Sequence, residues 1–407
     1  MTALTLPKTK LIRVGLLLLA ALVTLSLART FADTADLTST GTIAAAVGLA
    51  VPIGLAGLGG IWSERSGVAN IGLEGMMILG TFGAGWAGWQ WGPWVGIASA
   101  VIYGAFGAFL FAIATVSFGV DQIIAGTAIN ILGFGLTQFL AKLAFLNTPG
   151  GGQTQSPPVS ALPDFTITAI AEPLSEFQKK GVFLLSDAAG LLSGFFFRVS
   201  IITILAVALF MLTAFIMWRT SFGLRLRSAG ENPWAAETLG VNVYKYKYIA
   251  VTMSGALAGL AGAYLAIVGT NVYREGQTAG RGYIGLATMI FGNWRPGGTA
   301  VGAAIFGYID ALQLRDKSNI NGLTLLGAIV LLAIAIMMII RGMRGTGLAL
   351  GFLGAALLSA FLLTTKMPTE VALVAPYVTT LLVLATASQN LRPPAADGVP
   401  YRRGEAH

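Results

Sequence analysis

Side chains able to do chemistry are scarce in this 407-residue chain, and the scarcity itself narrows the function. Cysteine is absent, and the single histidine is His407. Thiol catalysis, disulfides, histidine acid–base work and most transition-metal sites are thereby removed. No GxxxxGKS/T phosphate loop occurs, so ATP is not held by that device. Neither HExxH nor GxSxG is present. No cofactor, no metal and no catalytic site of its own is expected. What remains is a set of polar side chains in strongly apolar surroundings: Asn70, Glu74, Gln122, Asn130 and Gln138. Glu74 is the one acid between Arg65 and Asp121. A carboxylate at membrane depth is costly and is by default a functional candidate. Its other reading is structural, near an interface or paired with Arg65 or Asn70 to fix a local break. The amides could hydrogen-bond a polar solute or bridge neighbouring helices.

The elements that must position these groups are read from hydropathy. The chain is 55% hydrophobic and 10% charged, far from the quarter charged expected of a soluble domain, and it holds 53 glycines. That describes an all-α, polytopic membrane protein whose small residues let helices approach closely. The formal charge of +8 collects at the ends of apolar runs, so it does not argue for nucleic acid. An N-terminal run, Val14 to Ala28, follows Lys8, Lys10 and Arg13 and is expected as a retained span rather than a cleaved signal. Further apolar segments cover about 41–61, 70–89, 94–117, 122–146, 199–218, 248–268, 321–341, 346–363 and 371–388. Most reach the ~20 residues that cross a hydrocarbon core. Trp86, Trp89, Trp91 and Trp94 mark a span end, as an interfacial aromatic belt does.

Segment 282–310 carries a polar Gly/Pro break at 293–298. A single crossing would put Arg341, Arg344, Arg392, Arg402 and Arg403 outside, so the arginine bias favours a broken or re-entrant hairpin. About ten full spans plus that hairpin are predicted. NIGLEGMMILG (70–80) and YIGLATMIFG (283–292) form a faint repeat, each beside a polar interruption, as in transporters built from two weakly related halves. The expected organisation is an N-terminal span and outer turn (1–40), a first membrane repeat (41–146) and an extracytoplasmic loop (147–198). A second repeat (199–315), an extra pair of spans (316–370) and a last span with a cytoplasmic tail (371–407) follow. Within the acidic loop, 181–197 is apolar enough for a helix on the outer surface or an early start to the next span.

The most informative stretch is 219–247. Arg219, Arg225, Arg227, Lys245 and Lys247 face only Glu231 and Glu237, which favours the cytoplasmic side. Asn232 is a good N-cap, Pro233 suits the first helical position, and Gly240 can take the left-handed stop. A capped two-turn helix, 233–239, is predicted there, a rigid knob for a soluble partner or else an ordinary connector.

Four blocks resemble a known family: WSERSGVANIGLEGMMILGTFGA (62–84), GVDQIIAGTAINILGFGLTQFL (119–140), SAGENPWAAETLGVNVYKYKY (228–248) and GRGYIGLATMIFGNWRPGG (280–298). The tail from Ala375 to Tyr401 is similar too. The chain resembles permease subunits of bacterial ABC importers in the superfamily serving branched-chain amino acids, ribose and nucleosides, and most closely the nucleoside-uptake branch. It departs from that pattern in the extra apolar pair 321–341 and 346–363. The resemblance implies a cytoplasmic ABC ATPase, a second related permease and an extracytoplasmic substrate-binding lipoprotein. It also implies a multi-pass location in the bacterial plasma membrane with both termini cytoplasmic. Arg225, Arg227, Asn232, Pro233, Trp234, Ala235, Ala236 and Gly240 would form the contact with the ATPase, with Arg225 and Arg227 steering docking and Trp234 supplying buried contact. Simple sugars or branched-chain amino acids are alternative solutes. An ion-coupled secondary transporter is the rival of another class, and it lacks the expected buried carboxylate relay.

Overall fold

Where water is absent the backbone must satisfy its own polar groups, so long uncharged runs become helices. The computed structural model describes residues 8–315, 319–363 and 391–404; the expected span 371–388 and His407 lie outside the described residues. In chain order the helices are α1 (Lys8–Ala32), α2 (Thr40–Glu64), α3 (Leu73–Trp91), α4 (Pro93–Ala112) and α5 (Gln122–Phe145). Then come α6 (Thr168–Gln178), α7 (Leu185–Gly194), α8 (Ile201–Arg219), α9 (Ser221–Glu231), α10 (Pro233–Thr238) and α11 (Val243–Ala263). Last are α12 (Arg281–Phe291), α13 (Pro296–Arg315), α14 (Asn319–Ile340) and α15 (Arg344–Leu363). Among the described residues, seven helices are long and apolar enough to cross a membrane. The architecture is all-α and polytopic, as the composition requires.

The chain divides into two units. One holds residues 1–47, 165–199 and 308–378. Here Arg29 Nε pairs with the fully buried Asp187 at 3.1 Å, and Thr38 Oγ1 donates to the same carboxylate at 2.5 Å. Gln178 Oε1 accepts from both the backbone N–H and the hydroxyl of Thr40, at 3.2 and 2.7 Å. The segment that carries α6 and α7 is thus fastened by polar contacts. The apolar stretch 181–197 yields α7, a short helix separate from α8. Ala28, Leu37 and Leu312 form a small core against Leu323 and Leu326 of α14. The extra pair α14 and α15 packs through Leu331, Ala335 and Leu350.

The other unit holds 48–164, 200–307 and 379–407, and contains both repeat segments. Helices α3, α4 and α11 meet at glycines. A Cβ on Gly80 would lie 2.5 Å from Gly259 Cα, and one on Gly104 would lie 2.6 Å from the same atom. Only glycine permits that approach, and backbone-to-backbone packing supplies the van der Waals contact that holds helices together in lipid.

Two extended segments interrupt this unit, 65–72 before α3 and 270–280 before α12. Asn70 Nδ2 donates to Ser254 Oγ at 3.0 Å, and Ser254 lies roughly 17 Å into α11 at 1.5 Å per residue. The 27-residue run 243–269 is about 40 Å long, so α3 begins near mid-depth. The α12–α13 hairpin is present, and its break falls within the polar stretch expected to interrupt it. The polar stretch 293–298 is the turn between the two helices and the start of α13, beside Glu64 and Arg65 at the end of α2. The interruption within the membrane comes earlier, at 270–280. The helical run before it ends at Gly269, and the bends and turns that follow hold Asn271, Gly276, Ala279 and Gly280 at positive φ.

Candidate functional site

The knob forms as its caps dictate. Asn232 Oδ1 accepts from Ala235 N at 3.0 Å, Pro233 occupies the first helical position, and Gly240 stops the chain at φ 80°. Helix α9 precedes it, started by Thr220 Oγ1 accepting from Gly223 N at 3.1 Å. Asn242 Oδ1 starts α11 by accepting from Lys245 N at 3.1 Å. Three capped helices in close succession leave the loop little freedom.

The structure sorts the eight expected contact residues by exposure. Arg225, Asn232, Ala235 and Gly240 are exposed; Pro233 and Ala236 are buried. Arg227 is partly covered, its guanidinium 5.7 Å from the Trp218 ring centre. Trp234 does not stand free as a docking ring: it packs against Tyr401 at 6.0 Å between centroids. The apolar side chains bare to solvent are instead Leu239, 84% exposed, and Leu224, 60% exposed.

What holds the knob from beneath is the segment 391–403, which sequence reasoning assigned no part. Ala396 N donates to Gly230 O at 2.9 Å, Ala395 N to Glu231 Oε2 at 3.3 Å, and Arg392 N to Asn293 Oδ1 at 2.8 Å. Arg403 Nε pairs with Glu237 at 2.9 Å. Tyr401 is buried against Tyr244 and under the Lys247 ammonium. Arg65 ties in the end of α2, donating to the carbonyls of Trp294 and Asn293 at 3.1 and 3.4 Å and facing Glu231 at 3.8 Å. Asp397 is buried here and shares a hydrogen bond with Glu64, which also accepts from Trp294 Nε1 at 2.5 Å. Burial pushes Asp397 up to about 6, against the opposing pull of Glu64, Lys247, Gly398 N–H and Arg65.

The four candidate polar residues of the membrane interior share one feature: each bonds the backbone of an interruption. Gln122 Oε1 accepts from Ala69 N at 2.6 Å, and Asn70 Oδ1 from Gly72 N at 3.1 Å. Asn130 accepts from Gly75 N at 2.7 Å and donates to Ile71 O at 3.1 Å. Glu74 crosses to the other interruption, and its partner is neither Arg65 nor Asn70. Its Oε1 accepts from Thr278 Oγ1 at 2.7 Å and Gly280 N at 2.9 Å, and its Oε2 from Gly282 N at 2.7 Å. The carboxylate thereby meets the open N–H groups at the start of α12, where the helix dipole favours negative charge. Among the described residues no cluster of His, Cys, Asp or Glu could hold a metal.

A bundle of apolar helices with paired mid-depth interruptions and a capped surface knob defines a membrane transport subunit. Residues 42–317 match the family described as branched-chain amino acid transport system / permease component. The chain belongs to that permease family, whose members serve transport systems with an ATPase and a substrate-binding protein. It is 34% identical to the guanosine ABC transporter permease protein NupQ of Bacillus subtilis, over 88% of this chain and 94% of that one. It is 31% identical to the nucleoside ABC transporter permease protein NupC of Lactococcus lactis, over 86% and 93%. A third relative, TsgC13 of Haloferax volcanii, provisionally named a glucose ABC transporter permease, is 36% identical over 68% and 78%. No solved structure matches.

Proposed function

We propose that this chain is one of two membrane subunits of an ATP-driven importer for nucleosides in the bacterial plasma membrane. The solute passes between it and a second, related permease after delivery by an extracytoplasmic binding lipoprotein. The ATPase docks on the cytoplasmic knob and drives α10, through α9 and α11, so that the pathway opens alternately to the two sides. One observation carries the coupling reading: α10 is capped, braced from beneath by 391–403 and bare on its outer edge at Ala235 and Leu239. Nucleosides are favoured as solutes by two relatives, NupQ and NupC, named for guanosine and nucleoside transport and matched over most of their length. TsgC13 supports a second reading, a sugar permease of the same architecture.

The test is uptake of labelled guanosine by right-side-out vesicles holding the whole complex, with ATP supplied inside. Uptake that survives an uncoupler and stops on ATP depletion agrees with the proposal; uptake that follows the proton gradient refutes it.

A further inference from the structure

Helix α5 presents two different faces to its surroundings. Ile124, Leu132, Phe139 and Leu143 form one, exposed and wholly apolar, as a lipid-facing surface is. More than a third of a turn away, about 135° at 3.6 residues per turn, lie Thr127, Asn130, Phe134 and Gln138. Phe134 is 44% exposed and Thr127 is exposed, while both amides are partly so. Asn130 sits roughly 12 Å into a helix about 36 Å long, so this polar face reaches mid-depth.

The second interruption adds to the same surface. Tyr283, 47% exposed on the first turn of α12, accepts a hydrogen bond from Asn130 Nδ2 at 2.9 Å. Glu275, in the extended segment, accepts from Gln138 Nε2. These groups bond one another, yet a partly exposed row of amides, a carboxylate and a phenol is costly to set against hydrocarbon, which offers no hydrogen bonds for their remaining capacity. Irregular backbone at membrane depth is found where it is buried in protein or lines a cavity, and Asn130 joins the first interrupted segment, at Ile71, to the first turn of α12, at Tyr283.

We propose that Thr127, Asn130, Phe134, Gln138, Glu275 and Tyr283 form a solute-contacting stripe of the transport pathway, suited to a neutral, flat heteroaromatic solute carrying hydroxyls. The exposed rings of Phe134 and Tyr283 supply faces for stacking a base. The amides, the Tyr283 hydroxyl and the Glu275 carboxylate supply donors and acceptors for base edges and ribose. A saturated sugar would use the second set and gain little from the first. This assignment rests on the importer reading, and it adds where on this subunit the solute is touched.

The native chain has no cysteine, so an introduced thiol is the only one it carries. Single variants T127C, F134C and Q138C are compared with L132C and L143C in membranes holding the assembled complex. The probe is a charged, membrane-impermeant methanethiosulfonate, with and without guanosine delivered by the binding protein. Labelling at the stripe, absence of labelling at the control face, and labelling about tenfold slower with guanosine are expected. Unlabelled stripe positions, as when a second permease buries them, overturn the pathway; labelling that guanosine leaves unchanged overturns the solute contact. ATP-dependent guanosine uptake by the complex holding the native chain is read in parallel, and its absence refutes the importer reading while the labelling pattern still judges the stripe.

Discussion

At the scale of single residues, two carboxylates carry separate burdens. Glu74 accepts three hydrogen bonds from the start of α12 and its approach, with no donor to spare. Replacing Glu74 by Gln turns one acceptor into a donor facing a donor, a loss of about 1–3 kcal/mol for the stranded group. E74Q should therefore lower the melting temperature of the detergent-solubilised protein, and E74D, which is too short to reach all three, should do the same. Asp397 behaves differently because it titrates. Its carboxyl is raised to about 6 by burial, so between roughly pH 4 and 6 the folded chain holds a proton that the unfolded chain has released. The attachment of 391–403 is then strongest below that window and weakens as pH rises through about 6. Fluorescence anisotropy of a dye at residue 404 should report a more mobile segment at pH 7.5 than at pH 5. D397N should flatten that profile. The sequence made Glu74 conspicuous, since one acid in a long apolar stretch stands out, yet its partners lie some two hundred positions away. Asp397 was invisible for the opposite reason: in a polar tail nothing marks an acid that folding will bury.

Among elements, α10 was the most legible, because caps act locally and Asn232, Pro233 and Gly240 announce themselves in order. Which of its faces is bare was not legible, for that depends on 391–403 coming to lie beneath it. The distinction changes the informative mutation. Leu239→Asp removes an 84%-exposed side chain and should alter stability by no more than about 0.5 kcal/mol. It should still reduce ATP-driven uptake about tenfold or more, as expected of an interface anchor, with solute capture by the binding protein intact. Ala236→Asp, at 2% exposure, should instead unfold the knob and show as proteolytic cleavage within 230–245. The interruption at 270–280 shows the limit of hydropathy. The segment lies between the predicted apolar runs 248–268 and 282–310, and its turns, with Asn271, Gly276, Ala279 and Gly280 at positive φ, are tied to a carboxylate some two hundred positions away.

For the molecule as a whole, the extra pair α14 and α15 belongs to the unit that also contains α1 and the outer helices, while both repeat segments and the knob belong to the other. An inserted even number of spans keeps later segments on their original side, so topology tolerates it. Deleting 319–363 with a short polar linker should lower the yield of folded protein yet leave ATP-dependent uptake measurable. Loss of all uptake with a normally folded product would place transport machinery in the pair. The existence and order of most spans could be read from composition, because hydrocarbon imposes the same demand on every one of them. The division into units could not, since it arises from pairings such as Arg29 with Asp187, far apart in the chain.

The bracing of α10 by Tyr401 and its neighbours also bears on biogenesis. Residues 391–403 leave the ribosome after every helix of the unit they complete, so until then the inner side of α10 lacks its cover and Trp234 its aromatic neighbour. An unfinished or truncated subunit consequently offers a poor seat to its motor. The joint proposed to transmit work is therefore assembled only once residues 391–403 have been made and have folded back beneath it.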